Sequence, residues 1–185
     1  MTALLEQAEP ILLELNAPER FKKIEIIGGA IVMSPLRFIH NLTLHRLMTQ
    51  LDEQLPADLL YGSDVITPFV LEEHEYCPDL AVVPKIEAER NGSVCKPEWI
   101  AFVFEVISPS TRDFDYGVKV GVYARGGIAE YVVFDPYARS ATRYARLQDG
   151  EYTLREVVHY GKPVRIEEPF SCVIETADLP VDPGN

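Results

Sequence analysis

An acidic residue in the middle of a long apolar stretch constrains this chain more than any other feature. Residues 99–123 read WIAFVFEVISPSTRDFDYGVKVGVY, and Glu105 lies between Phe104 and Val106. A buried unpaired carboxylate costs several kcal/mol, so Glu105 needs a partner, a proton or a metal ion. The pattern therefore predicts a buried strand that carries a functional acid. The alternative is an acid satisfied by a structural partner such as an arginine.

The residues after this strand predict a helix that presents a lysine. The apolar run breaks at residues 108–111, and Asp115, Lys119 and Tyr123 then follow at intervals of four. This spacing places the three side chains on one helical face. In the alternative interpretation Lys119 only pairs with Asp115 on an exposed helix, a contact worth about 0.2–0.5 kcal/mol. Tyr123 is expected to pack, and Asp113 or Asp115 either caps the helix or supports a metal from its second shell.

The remaining patterns predict one α/β domain over residues 1–185, with a mixed sheet flanked by helices. A helix over 114–125, ended by two glycines, lies between strands at 100–107 and 129–135, which is a βαβ unit with parallel strands. Two hairpins are predicted at diglycine 28–29 and at Asp149-Gly150. Two further helices are predicted: an N-terminal helix within residues 1–18, which covers residues 3–15 and is ended by residues 16–18, and a helix over 36–55 that is entered through residues 34–35. Further strands are predicted over 61–70 and 78–84, with strand-like pieces up to residue 174. The segments predicted to be irregular are a solvated loop over 72–75, a polar loop with one helical turn over 85–98 and a frayed tail over 180–185.

Charge and composition limit the classes of function. The chain has 29 acidic and 17 basic residues, a net charge of −12, which repels polyanions at long range and counts against unaided binding of nucleic acid. A short basic groove, a basic partner or recruited divalent cations stay open. The three cysteines are isolated, which indicates free thiols in a reducing compartment rather than a metal cluster or a disulfide framework. The acidic N-terminus and the lack of a long apolar run favour a cytoplasmic protein without a membrane span.

Several blocks of the chain resemble a known group of proteins. Pro78-Asp79, a spacer, and Glu105 within an apolar strand resemble the PD-(D/E)XK nuclease superfamily. The match is closer to the Uma-two family of restriction-endonuclease-like proteins, and it covers most of the chain. The blocks that carry it are IEIIGGAIVMSP, His40 with a leucine-rich helix, PDLAVVP, FEVISPSTRDFDYGVK and YARGGIAEYVVFDP. The resemblance implies a restriction-endonuclease-like mixed sheet with extra antiparallel strands at the C-terminus.

The resemblance also implies a metal-dependent endonuclease that hydrolyses nucleic acid, with DNA favoured over RNA as the substrate. Asp79 and Glu105 would hold Mg²⁺ or Mn²⁺, with a backbone carbonyl near Val106 as a third ligand, because Mg²⁺ prefers oxygen ligands. The superfamily places its lysine two residues after the acid, where this chain has Ile107. Lys119 takes that role in the resembling family, positioning water or stabilising the transition state. For Asp79 the alternative is a turn residue at the start of a strand.

Two further residues are candidates for the site. Glu25 lies among isoleucines in the first hairpin and is either a site residue or a solvated side chain on an edge strand. His40 lies near the start of its helix and could face the sheet end. His40 and His45 are five residues apart, too far around a helix to chelate one ion, so surface or capping histidines are the alternative for both.

The competing function is a non-enzymatic interaction or regulatory module that keeps the nuclease fold, and the acidic charge favours it. Another enzyme class, such as a serine hydrolase, is disfavoured because the chain contains no GxSxG elbow, HExxH motif or phosphate-binding glycine loop. A homodimer is an open alternative to a monomer, since two copies could form a groove whose charge the monomer total does not reveal.

Overall fold

The computed structural model describes residues 11–14, 23–34 and 37–184. Its helices are α1 (Ile11–Glu14), α2 (Phe38–Asp52), α3 (Lys85–Ala88), α4 (Arg112–Asp115) and α5 (Val118–Arg125). Its strands are β1 (Lys23–Ile27), β2 (Ala30–Ser34), β3 (Leu59–Gly62), β4 (Thr67–Phe69), β5 (His74–Tyr76), β6 (Leu80–Pro84), β7 (Phe102–Val106), β8 (Glu130–Asp135), β9 (Ser140–Gln148), β10 (Glu151–His159), β11 (Val164–Ile166) and β12 (Cys172–Ile174). Short 3₁₀ turns occur at Val70–Glu72 and Pro97–Trp99.

The largest sheet in the described residues has the strand order β10-β9-β8-β7-β6-β3. Strands β7 and β8 are parallel and are connected through α4 and α5, which confirms the predicted βαβ unit. The other neighbours in this sheet pair antiparallel, including the long C-terminal hairpin of β9 and β10. Asp149 and Gly150 both have positive φ at its turn, as a tight hairpin requires. The predicted mixed α/β fold with additional antiparallel strands is confirmed.

A smaller sheet, with the order β2-β1-β5-β4, contains the first predicted hairpin. Strand β1 lies inside this sheet because β5 pairs with it through Ile26 and Glu75. Glu25 is buried there, so the alternative of a solvated side chain on an edge strand was wrong. The solvated loop predicted over 72–75 was also wrong in its second half, since His74 and Glu75 are buried in β5.

Apolar side chains fill both faces of the large sheet. On one face α2 packs Leu47 and Leu51 against Phe104 of β7, and burying such a side chain contributes about 1.5–3 kcal/mol. On the other face α5 packs Tyr123 against Val103 of β7. Since side chains alternate along a strand, Glu105 projects on the same face as Val103, toward α5. Ile27, Phe69 and Tyr76 of the small sheet join the cluster on this face, so the site is enclosed between the two sheets and α5.

Some boundaries differ from the predictions. Helix α2 begins at Phe38 and ends at Asp52, inside the predicted range of 36–55, while residues 35 and 36 lie outside the described residues. The helix predicted over 114–125 is two helices separated by Tyr116 and Gly117, and the strand predicted over 61–70 is divided into β3 and β4.

At the termini only part of the predictions can be compared with the structure. Helix α1 covers four residues of the helix predicted over 3–15, and the rest of that helix and its end at 16–18 fall outside the described residues. Residues 180–184 form neither helix nor strand, but the Asp182 amide donates to the Pro136 carbonyl at 3.0 Å. Among the helices described, none has the length and apolar character needed to cross a membrane.

Candidate active site

Two distant acids share one ammonium group at the centre of the molecule. Lys23 Nζ lies 2.7 Å from Asp79 Oδ1 and 2.8 Å from Glu105 Oε2. Lys23 begins β1, Asp79 precedes β6 and Glu105 lies near the end of β7. All three side chains are buried, with 5% of Lys23 and 1% of each acid exposed. The carboxyl groups predicted to converge therefore lie on the same side of the sheet and contact the same cation.

Lys119 is the second cation of this cluster, and none of its surface is exposed. Its ammonium donates to Glu105 Oε1 at 2.9 Å and lies 3.1 Å from Glu25 Oε1 and 3.0 Å from Asp115 Oδ1. The ring of Tyr76 lies beneath it, 5.4 Å from Nζ to the centroid. The predicted pair with Asp115 exists, but it belongs to a buried network rather than to an exposed helix. The alternative of a surface i,i+4 pair was therefore wrong.

Asp79 is held by three partners besides its position before β6. Its Oδ2 accepts from the Val106 amide at 2.7 Å and lies 3.0 Å from His40 Nε2, while Oδ1 contacts Lys23. The Val106 contact follows from the antiparallel pairing of β6 with β7, which aligns Leu80 with Phe104. It is the amide of Val106 that reaches Asp79, whereas the resemblance predicted a role for a carbonyl there. The alternative of a turn residue does not explain why the Asp79 carboxylate contacts three buried groups.

His40 and Glu25, the two additional candidates, also reach this cluster. His40 is buried at the start of α2 and points at Asp79, so the surface alternative was wrong for His40; His45 is exposed, as that alternative expected. An ionised Asp79 can only accept a hydrogen bond, so the pairing fits the tautomer of His40 with its proton on Nε2. Glu25 Oε1 accepts from the Cys77 amide at 3.1 Å and contacts Lys119.

Tyr123 does more than pack. Its hydroxyl donates to Glu105 Oε1 at 2.8 Å, one helical turn beyond Lys119, while its ring packs in the core. Tyr123 and Lys119 therefore hold the same carboxylate oxygen from the same face of α5. Asp113, in contrast, is exposed and lies outside the cluster.

The electrostatics divide the two shared acids. Burial alone would raise the pKa of Asp79, but Lys23 and His40 outweigh it and hold that pKa well below its ordinary value. Burial raises the pKa of Glu105 to about 7, since Lys119 and Lys23 offset only part of the desolvation. Asp79 is thus the firmly ionised acid of the pair, and Glu105 is the one that titrates near neutrality.

Both lysines stay charged. Burial would lower the pKa of Lys23, and the carboxylates of Asp79, Glu105 and Glu25 reverse this and raise the pKa well above its ordinary value. The pKa of Lys119 is raised in the same way, against its burial, by Asp115, Glu105 and Glu25. Each lysine is therefore a fixed positive charge at neutral pH.

The donor set fits a divalent cation in chemistry and in charge, but an ammonium occupies the shared position. Carboxylate oxygens are the preferred ligands of Mg²⁺. Counted with every carboxylate ionised, the four acids of the cluster exceed its two ammonium groups by two charges: Glu25, Asp79, Glu105 and Asp115 against Lys23 and Lys119. Within the described part of the chain, no set of three or more His, Cys, Asp or Glu side chains is arranged around a common point to hold a metal. Lys23 Nζ lies between the two acids expected to hold one.

A cavity of about 410 Å³ lies beside β6. Its wall includes Ala81 and Val83 of β6 together with Tyr61 and Trp99, but it is not lined by Asp79, Glu105 or either lysine of the cluster. The cavity is mainly apolar, and Arg90 on its wall pairs with Glu87 at 2.6 Å.

The sequence located five members of the cluster and missed Lys23. Asp79, Glu105 and Lys119 were predicted as the site, and Glu25 and His40 as additional candidates; the structure brings all five together. The signal for Lys23 was its position two residues before Glu25, which places both side chains on the same face of a strand.

Comparison with known proteins agrees with this architecture. The Uma2 family model, described as "Putative restriction endonuclease", matches residues 11–181. The chain belongs to the Uma2 family. An "Uncharacterized protein sll1609" of Synechocystis sp. (strain ATCC 27184 / PCC 6803 / Kazusa) is 28% identical over 180 residues, covering 91% of this Uma2 chain and 95% of the relative.

A solved structure shows the same fold. It is the crystal structure of "a putative nuclease belonging to DUF820" from Anabaena variabilis ATCC 29413, with a TM-score of 0.66 and 16% identity over 88% of each chain. At this identity the likeness concerns the fold alone. The Uma2 chain therefore shares the fold of that protein, and its family model is described as "Putative restriction endonuclease".

Proposed function

We propose that this protein is a divalent-metal-dependent endonuclease that hydrolyses phosphodiester bonds of DNA. Asp79 and Glu105 would hold Mg²⁺ or Mn²⁺, and Lys119 would position water or stabilise the transition state. The observation that carries the proposal is the convergence of Asp79 and Glu105 on one cation, with the Lys119 ammonium 2.9 Å from Glu105. These residues come from different elements, and a core needs no such charges for stability.

Each protein group has a chemical task in this proposal. A bound divalent ion supplies Lewis-acid stabilisation of the scissile phosphate and activation of water. Asp79 is kept ionised by Lys23 and His40 and so is the permanent carboxylate ligand. Glu105 is oriented by Lys119 and Tyr123, both of which hold Oε1 and fix the direction of Oε2. Lys119 adds a positive charge where the phosphate gains negative charge.

The cavity of about 410 Å³ is the place at which this proposal expects a nucleotide base. Base–aromatic stacking is worth about 1–3 kcal/mol per base, and both Tyr61 and Trp99 line the cavity. Arg90 also lines it but pairs with Glu87 at 2.6 Å, so the wall has no net positive charge from this pair.

The second candidate function is a non-enzymatic interaction module that retains the fold. The observation that favours it is the closure of the cluster: every oxygen of Asp79 and Glu105 already contacts a donor, and both side chains are almost fully buried. In a module of this kind the charges serve only to fix the arrangement of β1, β6, β7 and α5.

A cleavage assay separates the two candidates. Supercoiled plasmid is incubated with the protein and Mg²⁺ or Mn²⁺, and the appearance of nicked or linear DNA is measured by gel electrophoresis. The nuclease proposal expects metal-dependent cleavage that falls at least a hundredfold in Asp79→Asn and in Lys119→Ala. Lys85→Met, which removes an exposed lysine whose ammonium pairs with Glu89 and is not part of the cluster, is the matched control and should cleave like the parent.

A thermal titration tests the metal site without requiring turnover. Mn²⁺ should raise the melting temperature of the parent and leave that of Glu105→Ala unchanged, because an ion that binds only the folded state stabilises it. An equal response of the two proteins would show that Glu105 is not a ligand. The absence of cleavage by a folded parent with either metal would favour the interaction module.

A further inference from the structure

We infer that Lys23 is a built-in cation that occupies the metal position between Asp79 and Glu105, so that a divalent ion binds only by displacing its ammonium. The inference rests on the proposed function for the identity of the two metal ligands. Lys23 Nζ is within hydrogen-bond distance of one oxygen from each acid, 2.7 and 2.8 Å, which is the place a shared cation would take. A magnesium ion and an ammonium cannot both lie there.

The ammonium has a physical reason to be there when no metal is bound. Two buried carboxylates that face each other cannot both ionise without a positive charge between them. Lys23 places such a charge between them, with Nζ 2.7 Å from Asp79 Oδ1 and 2.8 Å from Glu105 Oε2.

Lys23, rather than Lys119, is the cation able to leave. Lys23 is the first residue of β1, and its ammonium contacts two acids. Lys119 lies inside α5, contacts three acids and is fully enclosed. Lys119 also approaches the opposite oxygen of Glu105, Oε1, so its departure would not free the oxygen that faces Asp79.

The exchange improves the charge balance of the cluster. With Lys23 in place and all four acids ionised, the carboxylates exceed the two ammonium groups by two charges. Replacing one ammonium by a divalent ion reduces this excess to one. The site should therefore select divalent over monovalent cations, while competition with Lys23 keeps the apparent affinity low.

Mn²⁺ binding tests the inference directly. The free aqueous Mn²⁺ signal in electron paramagnetic resonance is measured during titration of the parent, Lys23→Met and Lys119→Met at one pH. Lys23→Met should bind Mn²⁺ at least tenfold more tightly than the parent, because its apolar side chain of similar length cannot compete. Lys119→Met removes the same charge from the same cluster and should gain clearly less. Adding Asp79→Asn to Lys23→Met should abolish the gain.

The opposite results overturn the inference. It fails if Lys23→Met binds Mn²⁺ no more tightly than the parent, or if Lys119→Met gains as much, since the effect would then reflect overall charge. Should Lys23→Met not fold without metal, Lys23→Gln replaces it, because its amide can still donate to one acid. The same tenfold criterion then applies.

Failure of this inference and failure of the nuclease proposal give different outcomes. If Lys23→Met binds Mn²⁺ more tightly and this gain requires Asp79, but no form of the protein cleaves plasmid, then competition between Lys23 and the metal is supported and the nuclease proposal is refuted. If the parent cleaves plasmid with Mn²⁺ but Lys23→Met binds Mn²⁺ no more tightly, then the nuclease proposal is supported and the competition is refuted.

Discussion

Replacing Lys119 by methionine tests whether the buried network, rather than the helical pair with Asp115, determines the energetics of the site. Methionine has a similar length and no charge, so the change removes mainly the ammonium. Three carboxylates lose a contact of 2.9–3.1 Å. Glu105 keeps Lys23 and Tyr123, and Glu25 keeps the Cys77 amide. Asp115 Oδ1 has no hydrogen-bond partner among the described residues and loses its only nearby cation there.

The expected loss follows from this inventory. Removing one partner of a buried ion pair costs about 3–5 kcal/mol, because a buried charge is left uncompensated. For a domain of this size that corresponds to a fall of roughly 6–20 °C in melting temperature. If Lys119 merely formed an exposed i,i+4 pair, the loss would be about 0.2–0.5 kcal/mol. The two interpretations therefore differ by about an order of magnitude.

This loss is measured by urea unfolding at pH 8. At this pH Glu105 of the parent is ionised, because burial raises its pKa to about 7. The matched control is Lys85→Met, which breaks an exposed i,i+4 pair with Glu89 at 3.8 Å and should cost less than about 0.5 kcal/mol. The double variant Lys119→Met with Asp115→Asn should recover part of the loss, since it removes one stranded charge. A loss for Lys119→Met equal to that of Lys85→Met, at an unchanged m-value, would refute the network.

Three further outcomes follow from contacts outside the site. Burial lowers the pKa of His74, whose Nδ1 accepts a hydrogen bond from the Gly28 amide at 2.8 Å. The unfolded chain therefore binds a proton on His74 at about pH 6.5, whereas the folded chain binds it only at lower pH. The free energy of unfolding should consequently fall as the pH drops below about 6.5. His74→Gln keeps an acceptor and should show a weaker fall between pH 7.5 and 5.5 in urea unfolding; an unchanged pH dependence would contradict this. Glu130→Gln should cost about 3 kcal/mol, because it removes the charge of the buried carboxylate that pairs with Arg143 and leaves this guanidinium with Glu167 at 3.0 Å and Glu156 at 3.6 Å, whose side chains are half exposed or more. Glu156→Gln should stay within about 0.5 kcal/mol; equal losses would contradict this. Burial raises the pKa of each thiol to about 11 or 12, so Ellman's reagent should leave the native protein unlabelled and label three thiols in urea; rapid labelling of the native protein would contradict the burial of Cys77, Cys95 and Cys172.

Local patterns predicted the parts of the fold that depend on short-range structure. The hairpin at Asp149-Gly150 follows from the positive φ that both turn residues adopt, and the parallel pair β7 and β8 follows from a strand, a helix and a strand in succession. Glu105 was informative for the same reason, since one acid in an apolar strand violates the pattern around it. Such violations mark functional or specially paired positions.

The predictions that failed depended on contacts between distant parts of the chain. The four polar residues at 72–75 predicted a solvent-exposed loop, yet Glu75 lies in a three-residue strand. Its carboxylate accepts hydrogen bonds from the amides of Ile11 and Leu12 at 2.7 and 2.8 Å. The same short strand pairs with β1, so β1, which carries Glu25, is not an edge strand. A strand of this length has no periodicity to detect. Its presence is decided by pairing, not by propensity.

The position of the lysine is explained by how α5 lies across the sheet. Ile107 directly follows the end of β7 and is fully buried in the apolar cluster that also contains Tyr123. A lysine there would have to place its ammonium among apolar side chains, at a cost of several kcal/mol. Lys119 avoids this cost because it extends from α5, one turn before Tyr123, and its ammonium contacts three carboxylates: those of Glu105, Glu25 and Asp115. The strand therefore supplies the acid and an apolar support for the helix, and the helix supplies the amine that the strand cannot carry.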